Sequence, residues 1–403
     1  MTMTPTRSDE IVVVGGGIGG LATALACAQA GRPVRVLERA DEFGEIGAGL
    51  QLAPNATRIL DRLGVLGRVI DAGVLPQRLV FNDALTGRRL THLDLGPAFR
   101  RRYGGPYVVV HRSDLLEILL AACREHGVLL DTGKEVTAVG TEPDRATVAC
   151  ADGSGYDAAL VVGADGLRSG LRTLLSDDEP LCSGYVAYRG AVPLEQVDAH
   201  APLTDVVVWF GPGLHLVQYP LRSGRMYNQV AVFRSRRFEA GEPEWGTPEE
   251  LDEVFSATCE QVRTAIPALW RDKRWPMFDR EPIDEWVAGR AVLLGDAAHP
   301  MLQYLAQGAC QAIEDAAALA DAVVKHLPVT GADLAAVEQT LRTYQADRVP
   351  RTARVQRSAR VWGDVWHVDG LARGLRNELF ARREPDDFTD TDWLYGTEEP
   401  THA

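Results

Sequence analysis

The sequence predicts a composite α/β fold. A Rossmann-like nucleotide-binding domain carries an inserted mixed or antiparallel β-sheet domain and is followed by a C-terminal helical region. Three observations support this prediction. A glycine-rich turn joins two apolar runs near the start of the chain, short aromatic-rich runs separated by turn residues occupy 183–286, and helix-forming stretches follow residue 329.

The first element is a strand–helix–strand unit within 11–38. Ile11–Val14 is a β-branched run bounded by glycine, which is typical of a buried parallel strand. The Ala- and Leu-rich run 21–30 predicts a helix, and Val34–Leu37 predicts a second strand. Together they form a βαβ unit.

The turn inside this unit has the glycine spacing of a dinucleotide-binding site. Gly15, Gly17 and Gly20 occupy the three positions of G-x-G-x-x-G, which allow a tight turn, close approach to a pyrophosphate and close helix–strand packing. Glu38 ends the second strand, where an acid binds a ribose hydroxyl. The sequence therefore predicts dinucleotide binding, with a merely structural glycine turn as the alternative.

Four later segments have residues suited to ligand-binding turns. The glycines in 43–52 allow the backbone to lie flat against a redox ring, although an ordinary loop is the alternative. Arg112 lies at a predicted strand-to-helix turn, where it can reach a phosphate or ribityl chain or form a surface salt bridge. Two further predicted strands end at Asp165-Gly166 and at Gly295-Asp296.

The segment order also predicts the domain boundaries. The helical region is expected to contain two helices, 334–349 and 351–382. The nucleotide-binding domain is predicted to comprise 1–76, 104–182 and 287–328, the inserted substrate domain 77–103 and 183–286, and the helical region with its acidic tail 329–403.

Composition excludes several classes of function. The formal net charge of −14 argues against nucleic-acid binding, which requires a basic face. No apolar run approaches the roughly 20 residues of a membrane span, and the polar start argues against a signal peptide. The six cysteines are scattered without zinc spacing, so no metal site is expected and a cytoplasmic location is predicted.

The acidic C-terminal tail contains the run Trp393-Leu394-Tyr395, which is expected to dock on the body of the protein.

The three turns together resemble those of a known family. The glycine turn with Glu38, the pair Asp165-Gly166, and Gly295-Asp296 followed by Ala-Ala-His resemble the single-component flavin aromatic hydroxylases of group A over essentially the whole chain. Within that family the 3-hydroxybenzoate 6-hydroxylase group is the most similar. The stretches that carry this likeness are 103–107, 215–220, 275–282 and 300–305.

Two positions depart from the common family pattern. Relatives commonly have proline where this chain has Gln303 and glycine where it has Ala306. This departure places a side-chain amide near the flavin and favours the 3-hydroxybenzoate group over the salicylate hydroxylases.

The resemblance implies bound FAD and transient NADH. It implies that Asp296 contacts the ribityl or pyrophosphate portion, that Asp165 serves FAD and the nicotinamide, and that Arg112 is a further FAD contact. The same expectation covers Ile18 and Arg39 in the first unit, Gln51 in the glycine-rich segment, and Ala309 at the start of a long helix.

The implied activity is hydroxylation of an aromatic acid. NADH reduces FAD, dioxygen forms a flavin hydroperoxide, and oxygen is inserted into 3-hydroxybenzoate para to its hydroxyl to give gentisate. Salicylate 1-hydroxylation or hydroxylation of another small aromatic acid is the alternative, and a flavoprotein reductase or a non-catalytic flavin-binding protein is the alternative class. The family also implies a homodimer.

Substrate residues are expected on the inserted sheet and near the flavin. His215 is the candidate base for the phenol, with a core histidine as the alternative, and Gln303 is expected to orient the phenol or the attacking oxygen, with a helix cap as the alternative. Tyr219, four residues after His215, shares its strand face and is a candidate for the carboxylate or for packing. Tyr107 and Tyr188 are expected as pocket walls.

Overall fold

The computed structural model describes residues 9–44, 49–197 and 203–396 of the 403-residue chain. In these ranges eighteen strands form four sheets and twelve α-helices surround them. The strands are β1 (Ile11–Val14), β2 (Val34–Leu37), β3 (Gly49–Leu52), β4 (Arg78–Asp83), β5 (Arg89–Asp94), β6 (Val108–His111), β7 (Leu129–Asp131), β8 (Val136–Thr141), β9 (Ala146–Cys150), β10 (Gly155–Ala158), β11 (Leu160–Gly163), β12 (Leu181–Pro193), β13 (Asp205–Gly211), β14 (Leu214–Leu221), β15 (Met226–Arg234), β16 (Trp275–Asp279), β17 (Val287–Ala288) and β18 (Ala291–Leu293). The helices are α1 (Ile18–Gln29), α2 (Pro54–Arg62), α3 (Leu66–Ala72), α4 (Pro97–Tyr103), α5 (Arg112–Glu125), α6 (Arg236–Glu239), α7 (Pro248–Phe255), α8 (Glu260–Arg263), α9 (Gly308–His326), α10 (Leu334–His367), α11 (Gly370–Ala381) and α12 (Asp392–Tyr395).

A six-stranded sheet forms the nucleotide-binding part. Its order is β17-β18-β11-β1-β2-β7, and all neighbours except β17 and β18 run parallel. β1 is buried along its whole length, as its β-branched composition requires. Because β1, β11 and β18 are parallel neighbours, the turns that follow them meet at one edge of the sheet, where α/β folds bind ligands.

A seven-stranded sheet separates the second hydrophobic core from the ligand cavity. Its order is β16-β12-β15-β14-β13-β4-β5, with β13 and β4 parallel and the other pairs antiparallel. Tyr188 and Phe233 on one face pack against the region of α7 and α8. Val208 and Val230 on the other face pack toward Tyr304 and Trp366.

The C-terminal region corrects one prediction. The expected break between 334–349 and 351–382 is absent, because α10 continues through Pro350 to His367. Proline in a helix removes one backbone hydrogen bond, but ion pairs on both sides hold this helix in place. Arg348 and Arg351 both bind the carboxylate of Glu314 on α9.

The predicted fold class is confirmed by this architecture, which combines a parallel nucleotide-binding sheet, a mixed second sheet and a helical C-terminal region. The domain boundaries stay a prediction, although the strands of the second sheet come from 78–94, 181–234 and 275–279. Across the described ranges, no helix is both long and apolar enough to cross a membrane.

Candidate active site

A cavity of about 800 Å³ lies between the nucleotide-binding edge, the open face of the seven-stranded sheet and the C-terminal helices. Its wall therefore combines elements from all three regions of the chain. Of the residues predicted for the site, eight line it: Gln51, Tyr107, Arg112, His215, Tyr219, Asp296, Gln303 and Ala309.

The glycine turn after β1 is shaped for close backbone approach. Gly15 has φ of +108°, and a Cβ there would lie 2.3 Å from the carbonyl oxygen of Ala164. A Cβ on Gly20 would lie 2.0 Å from the carbonyl oxygen of Gly15. Gly17 is the N-cap residue of α1, and its helix start has no side-chain cap, so its N–H groups are available for a phosphate. The turn therefore fits the pyrophosphate of FAD.

The acid at the end of β2 is held in place by backbone donors. The Gly16 N–H donates to Glu38 Oε2 over 2.8 Å, and the Ala40 N–H donates to Glu38 Oε1 over 2.9 Å. These bonds orient the carboxylate beside the glycine turn, where an adenosine ribose would lie. Ile18 begins α1 as a buried side chain and Arg39 is exposed beside Glu38. Residues 45–48 of the predicted glycine-rich segment lie outside the described part.

The Asp165 carboxylate forms hydrogen bonds within its own turn. Its carboxylate accepts hydrogen bonds from the Ser169 hydroxyl (2.6 Å) and the Gly170 N–H (2.8 Å). The side chain therefore shapes the turn after β11 that packs against Gly15. Its predicted direct role toward FAD and the nicotinamide stays a proposal.

Asp296 and Arg112 are two of the charged residues of the cavity wall. Asp296 follows β18 in a short 3-10 helix and is exposed to the cavity. Burial lowers the pKa of Arg112, and the nearby Asp296 opposes that effect. Ala309 lies in the first turn of α9, whose N-cap residue Gln307 makes no capping bond. The carboxylate, the guanidinium and this helix start fit the ribityl chain and ring of FAD.

A buried ion network fixes the turn that carries Asp296. The Gly295 N–H donates to Asp315 Oδ2 (2.9 Å), and the same oxygen lies 2.6 Å from His299 Nε2. Arg348 Nε donates to Asp315 Oδ1 (2.7 Å). Burial alone would raise the pKa of Asp315, but His299 and Arg348 outweigh it and lower the pKa to about 2. The network ties β18, α9 and α10 together behind the cofactor site.

His215 lies in an aromatic enclosure and binds a second histidine. It is 1% exposed, and its Nδ1 lies 2.9 Å from Nε2 of His367 at the end of α10. Tyr304 and Trp366 contact the His215 ring edge-on at centroid distances of 5.5 and 5.2 Å. Burial lowers the pKa of His215 well below its usual value, and His367 adds to this effect. The ring is therefore neutral and available for hydrogen bonding.

Gln303 begins a short 3-10 helix whose backbone turns sharply into α9. Its carbonyl accepts the Ala306 N–H over 2.9 Å, and its side chain makes no hydrogen bond with the part of the chain that is described. The alternative role as a helix cap is not observed, because Gln307 is the N-cap residue of α9. Ala306 has φ of +53°, a conformation that glycine adopts more easily.

The two predicted tyrosines on the cavity wall lie near each other. The Tyr107 hydroxyl donates to Gln51 Oε1 over 2.7 Å. Tyr219 packs against β3, where a Cβ on Gly49 would lie 2.4 Å from its ring. Burial raises the pKa of both phenols, so both are protonated donors at neutral pH.

The expectation for Tyr188 is corrected. Its side chain lies in the second hydrophobic core on the opposite face of the sheet, where it stacks on Phe233 and donates to the Gly246 carbonyl over 2.7 Å. Successive side chains of a strand point to opposite faces. Its neighbour Arg189 faces the cavity instead.

Sequence reasoning missed Arg189 and His367. A charged residue within the apolar run of β12 was an available signal for Arg189, because strand alternation assigns it to the face opposite Tyr188. No local signal identified His367, since it lies 152 residues from His215. Only the packing of α10 against the sheet brings the two imidazoles together.

The C-terminal tail closes part of the cavity, in agreement with its predicted docking. Arg351 donates to the carbonyls of Trp393 (2.5 Å) and Leu394 (2.7 Å), and Arg58 donates to the Tyr395 carbonyl (2.8 Å). All three tail residues line the cavity. Residues 397–403 lie outside the described part.

Comparison with known proteins places this site in a family. The model of the FAD binding domain family matches residues 8–359. The 3-hydroxybenzoate 6-hydroxylase of Polaromonas naphthalenivorans is 41% identical over 391 residues, covering 96% of this chain and 95% of that protein. The chain belongs to the group-A flavin-dependent aromatic hydroxylases.

Other members support the same assignment. The 3-amino-4-hydroxybenzoate 2-monooxygenase PtnB3 of Streptomyces platensis is 37% identical and covers 99% of this chain and 98% of its own. A variant of Klebsiella pneumoniae HpxO complexed with FAD superposes with a TM-score of 0.83 at 28% identity, over 96% of this chain and 99% of that chain. In this hydroxylase, bound FAD supplies the oxygen-activating chemistry, while the protein binds the aromatic substrate and excludes water.

Proposed function

We propose that this hydroxylase converts 3-hydroxybenzoate to gentisate by inserting oxygen para to the ring hydroxyl, with NADH and dioxygen as co-substrates. The observation that supports this substrate best is the joint presence of His215 and Gln303 on the wall of one cavity. The names of several relatives at 39–41% identity point to the same reaction. NADH and the predicted cytoplasmic location are inferred from the family and composition.

We assign activation of the phenol to His215. A phenol becomes a stronger nucleophile as its proton is removed, and such acid–base assistance contributes about 10²–10⁴-fold in rate. When His215 Nδ1–H donates to His367 Nε2, the lone pair on His215 Nε2 is available for the phenol proton. The uncharged state of the pair favours this role, because a protonated imidazole has no lone pair to offer.

Gln303 and Tyr219 are proposed to orient the substrate. The Gln303 amide has no other hydrogen-bond partner in the described ranges, so it can bond the phenolic oxygen without ionising. The Tyr219 hydroxyl is a protonated donor suited to an anionic group. Tyr107, already bonded to Gln51, is proposed as a wall of the pocket.

A homodimer is proposed from the family and from one exposed helix face. Leu371, Leu375 and Leu379 follow each other at four-residue spacing on α11 and are 81%, 58% and 71% exposed. Such an apolar stripe is typical of an association surface. Light scattering of the wild type and of Leu375→Glu tests this proposal, since the variant is expected to be monomeric.

The reaction is tested by NADH oxidation in the purified flavoprotein with 3-hydroxybenzoate, salicylate or 4-hydroxybenzoate, and by chromatography of the products. Acceleration by 3-hydroxybenzoate with gentisate as product supports the proposal. If a compound accelerates NADH oxidation but only hydrogen peroxide is formed, that compound mimics the true substrate, which is another phenol. If none of the three aromatic compounds changes the rate of NADH oxidation, the result would favour a reductase instead. NADPH in parallel assays tests the choice of co-substrate.

A further inference from the structure

Arg189 is the cation at one end of an otherwise mostly apolar row across the sheet. In register from β12 to β5, the row consists of Arg189, Val230, Val217, Val208, Phe81 and Thr91. All six residues line the cavity. The row therefore offers an aromatic ring a flat apolar surface with a guanidinium at one end.

Among the residues that the structure describes, none of opposite charge pairs with the guanidinium of Arg189. Its Nε is buried without a hydrogen bond, and among the described residues the group makes neither a hydrogen bond nor an ion pair. Its nearest aromatic contact is Trp275, with Cζ 5.5 Å from the ring centre. Burial lowers the pKa of Arg189. The nearby Tyr219 raises that pKa, and Arg112 lowers it further.

Other buried arginines in the described part of the chain bind carboxylates or backbone carbonyls, and Arg290 and Arg32 donate to carbonyl oxygens alone. Arg348 binds Glu314 and Asp315, and Arg172 binds Asp178 and three backbone carbonyls. An isolated buried charge is costly unless it is paired. Arg189 therefore has the electrostatics of a group whose counter-ion arrives with a ligand.

The acidic side chains of the cavity do not supply that counter-ion. Asp296 lies beside Arg112, and Asp390 lies 3.5 Å from Arg383. A planar guanidinium is matched to a carboxylate, which it can bind through two hydrogen bonds. The neighbouring Tyr219 hydroxyl is a second donor for the same anion.

The position of Arg189 relative to His215 also suits a substrate with two polar ends. One strand, β15, separates β12 from β14, so the two backbones are roughly 10 Å apart across the sheet. In the register of the sheet, His215 lies opposite Val232 on β15, and Val232 lies opposite Ala187 on β12. Ala187 is two residues before Arg189. A single aromatic ring lying on Val217 and Val230 would have one polar group near each side chain.

We propose that Arg189 binds the carboxylate of the aromatic substrate, with Tyr219 as a second donor, and thereby selects aromatic acids over neutral phenols. This inference rests on the proposed hydroxylation of an aromatic acid and names the subsite for its anionic group. The phenolic end then lies toward His215 and Gln303.

The test compares acids with their neutral amides in the FAD-loaded enzyme. Dissociation constants of 3-hydroxybenzoate and 3-hydroxybenzamide are measured from the change in flavin absorption for the wild type, Arg189→Met and Arg189→Lys. We expect the wild type to prefer the acid by about 10- to 100-fold, the range expected for charge-assisted bonds. Arg189→Met is expected to abolish this preference and leave amide binding unchanged, and Arg189→Lys to retain part of it.

The amide serves as an internal control for folding, and Arg271→Met serves as a matched control. Arg271 pairs with Asp252 outside the cavity, so its replacement is expected to leave the acid-to-amide ratio unchanged. A preference that persists in Arg189→Met would overturn the proposal. Equal weakening of acid and amide, or loss of bound FAD in Arg189→Met, would assign the guanidinium to packing or to the cofactor and also overturn it.

The same measurement with salicylate, 4-hydroxybenzoate and their amides separates this proposal from the proposed reaction. If 3-hydroxybenzoate fails but another acid shows a preference that depends on Arg189, the carboxylate subsite stands and the substrate assignment falls. If none of the three acids is preferred over its amide by the wild type, the carboxylate subsite falls.

Discussion

His215 Nδ1 lies 2.9 Å from His367 Nε2, with the two imidazole rings nearly coplanar at an interplanar angle of 19°. One proton is shared between the two nitrogens, so the pair decides whether the remaining nitrogen of His215 is a donor or an acceptor. His367 is in turn stacked on Tyr185 at 4.7 Å. The position of α10 therefore fixes the orientation of the proposed base and couples its tautomer to that of His367.

Replacement of His215 by alanine is expected to lower kcat by about 10²–10⁴-fold, because the phenol loses its proton acceptor. The loss should shrink as pH rises toward about 10, where phenols ionise in solution without help. Steady-state rates from pH 6 to 10 check this expectation. A uniform loss at every pH would argue for a packing role instead.

His367 is expected to act on the rate through His215. His367→Leu removes the hydrogen bond to His215 Nδ1 and should lower kcat by roughly 10-fold, as expected for about 1.4 kcal/mol. His367→Gln places an amide near that position, which can hydrogen-bond His215, and should recover most of the rate. The two variants are compared by kcat and KM, and equal rates in both would contradict the hydrogen-bond role.

Stability is expected to fall on acidification because of the same pair. Burial, reinforced by Arg376, lowers the pKa of His367 from 6.5 to about 3, so the unfolded chain binds protons below pH 6.5 that the folded chain does not. The free energy of unfolding is therefore expected to decrease as pH falls from 6.5 toward 3, by up to about 1.4 kcal/mol per pH unit for one such histidine. Urea unfolding at pH 7 and 5 measures the change, and the doubly substituted His215→Leu/His367→Leu chain should show a shallower dependence.

The glycine turn gives a prediction for cofactor binding. Gly20→Ala places a Cβ 2.0 Å from the backbone oxygen of Gly15, so the turn must move and FAD content should fall sharply. Gly67→Ala in α3 is the matched control, because a Cβ on that residue would meet nothing within 4 Å beyond its own helical turn. The control should retain FAD and gain up to about 1 kcal/mol of stability. Flavin absorption and thermal unfolding report both quantities.

Ala306→Gly is expected to stabilise the protein. Ala306 adopts φ of +53°, which costs roughly 1–2 kcal/mol for a residue with a Cβ. Glycine removes this strain but adds about 0.4–1 kcal/mol of unfolded-state entropy, so a net gain of about 0.5–1 kcal/mol is expected. Denaturant titration checks the gain, and a loss of stability would mean that the methyl group contributes packing that outweighs the strain.

The two faces of the seven-stranded sheet should respond differently to the same chemical change. Tyr188→Phe removes a buried hydrogen bond to Gly246 and is expected to cost about 1–2 kcal/mol of stability with kcat and KM unchanged. Tyr219→Phe removes a hydroxyl on the cavity side and should raise KM several-fold with little loss of stability. Unfolding and steady-state kinetics on both variants test the assignment of faces.

The nucleotide-binding half of the protein is predictable from the sequence. The β-branched run of β1, the spaced glycines and Glu38 are close neighbours in the chain, and local steric requirements fix their conformation. The alternation around His215 and Tyr219 likewise predicted a shared strand face, and both residues line the cavity. Such patterns are informative because the contacts that they encode span only a few residues or one βαβ unit.

The rest of the site depends on contacts between elements that are distant in the chain. The sequence predicted separate helices at 334–349 and 351–382, but ion pairs between α10 and α9 hold one continuous helix across Pro350. That helix delivers His367 to His215 across 152 residues of sequence. The covering of one sheet face by α7 and α8 buries Tyr188 and leaves Arg189 facing the cavity. These relationships depend on which elements pack together, which no local pattern specifies.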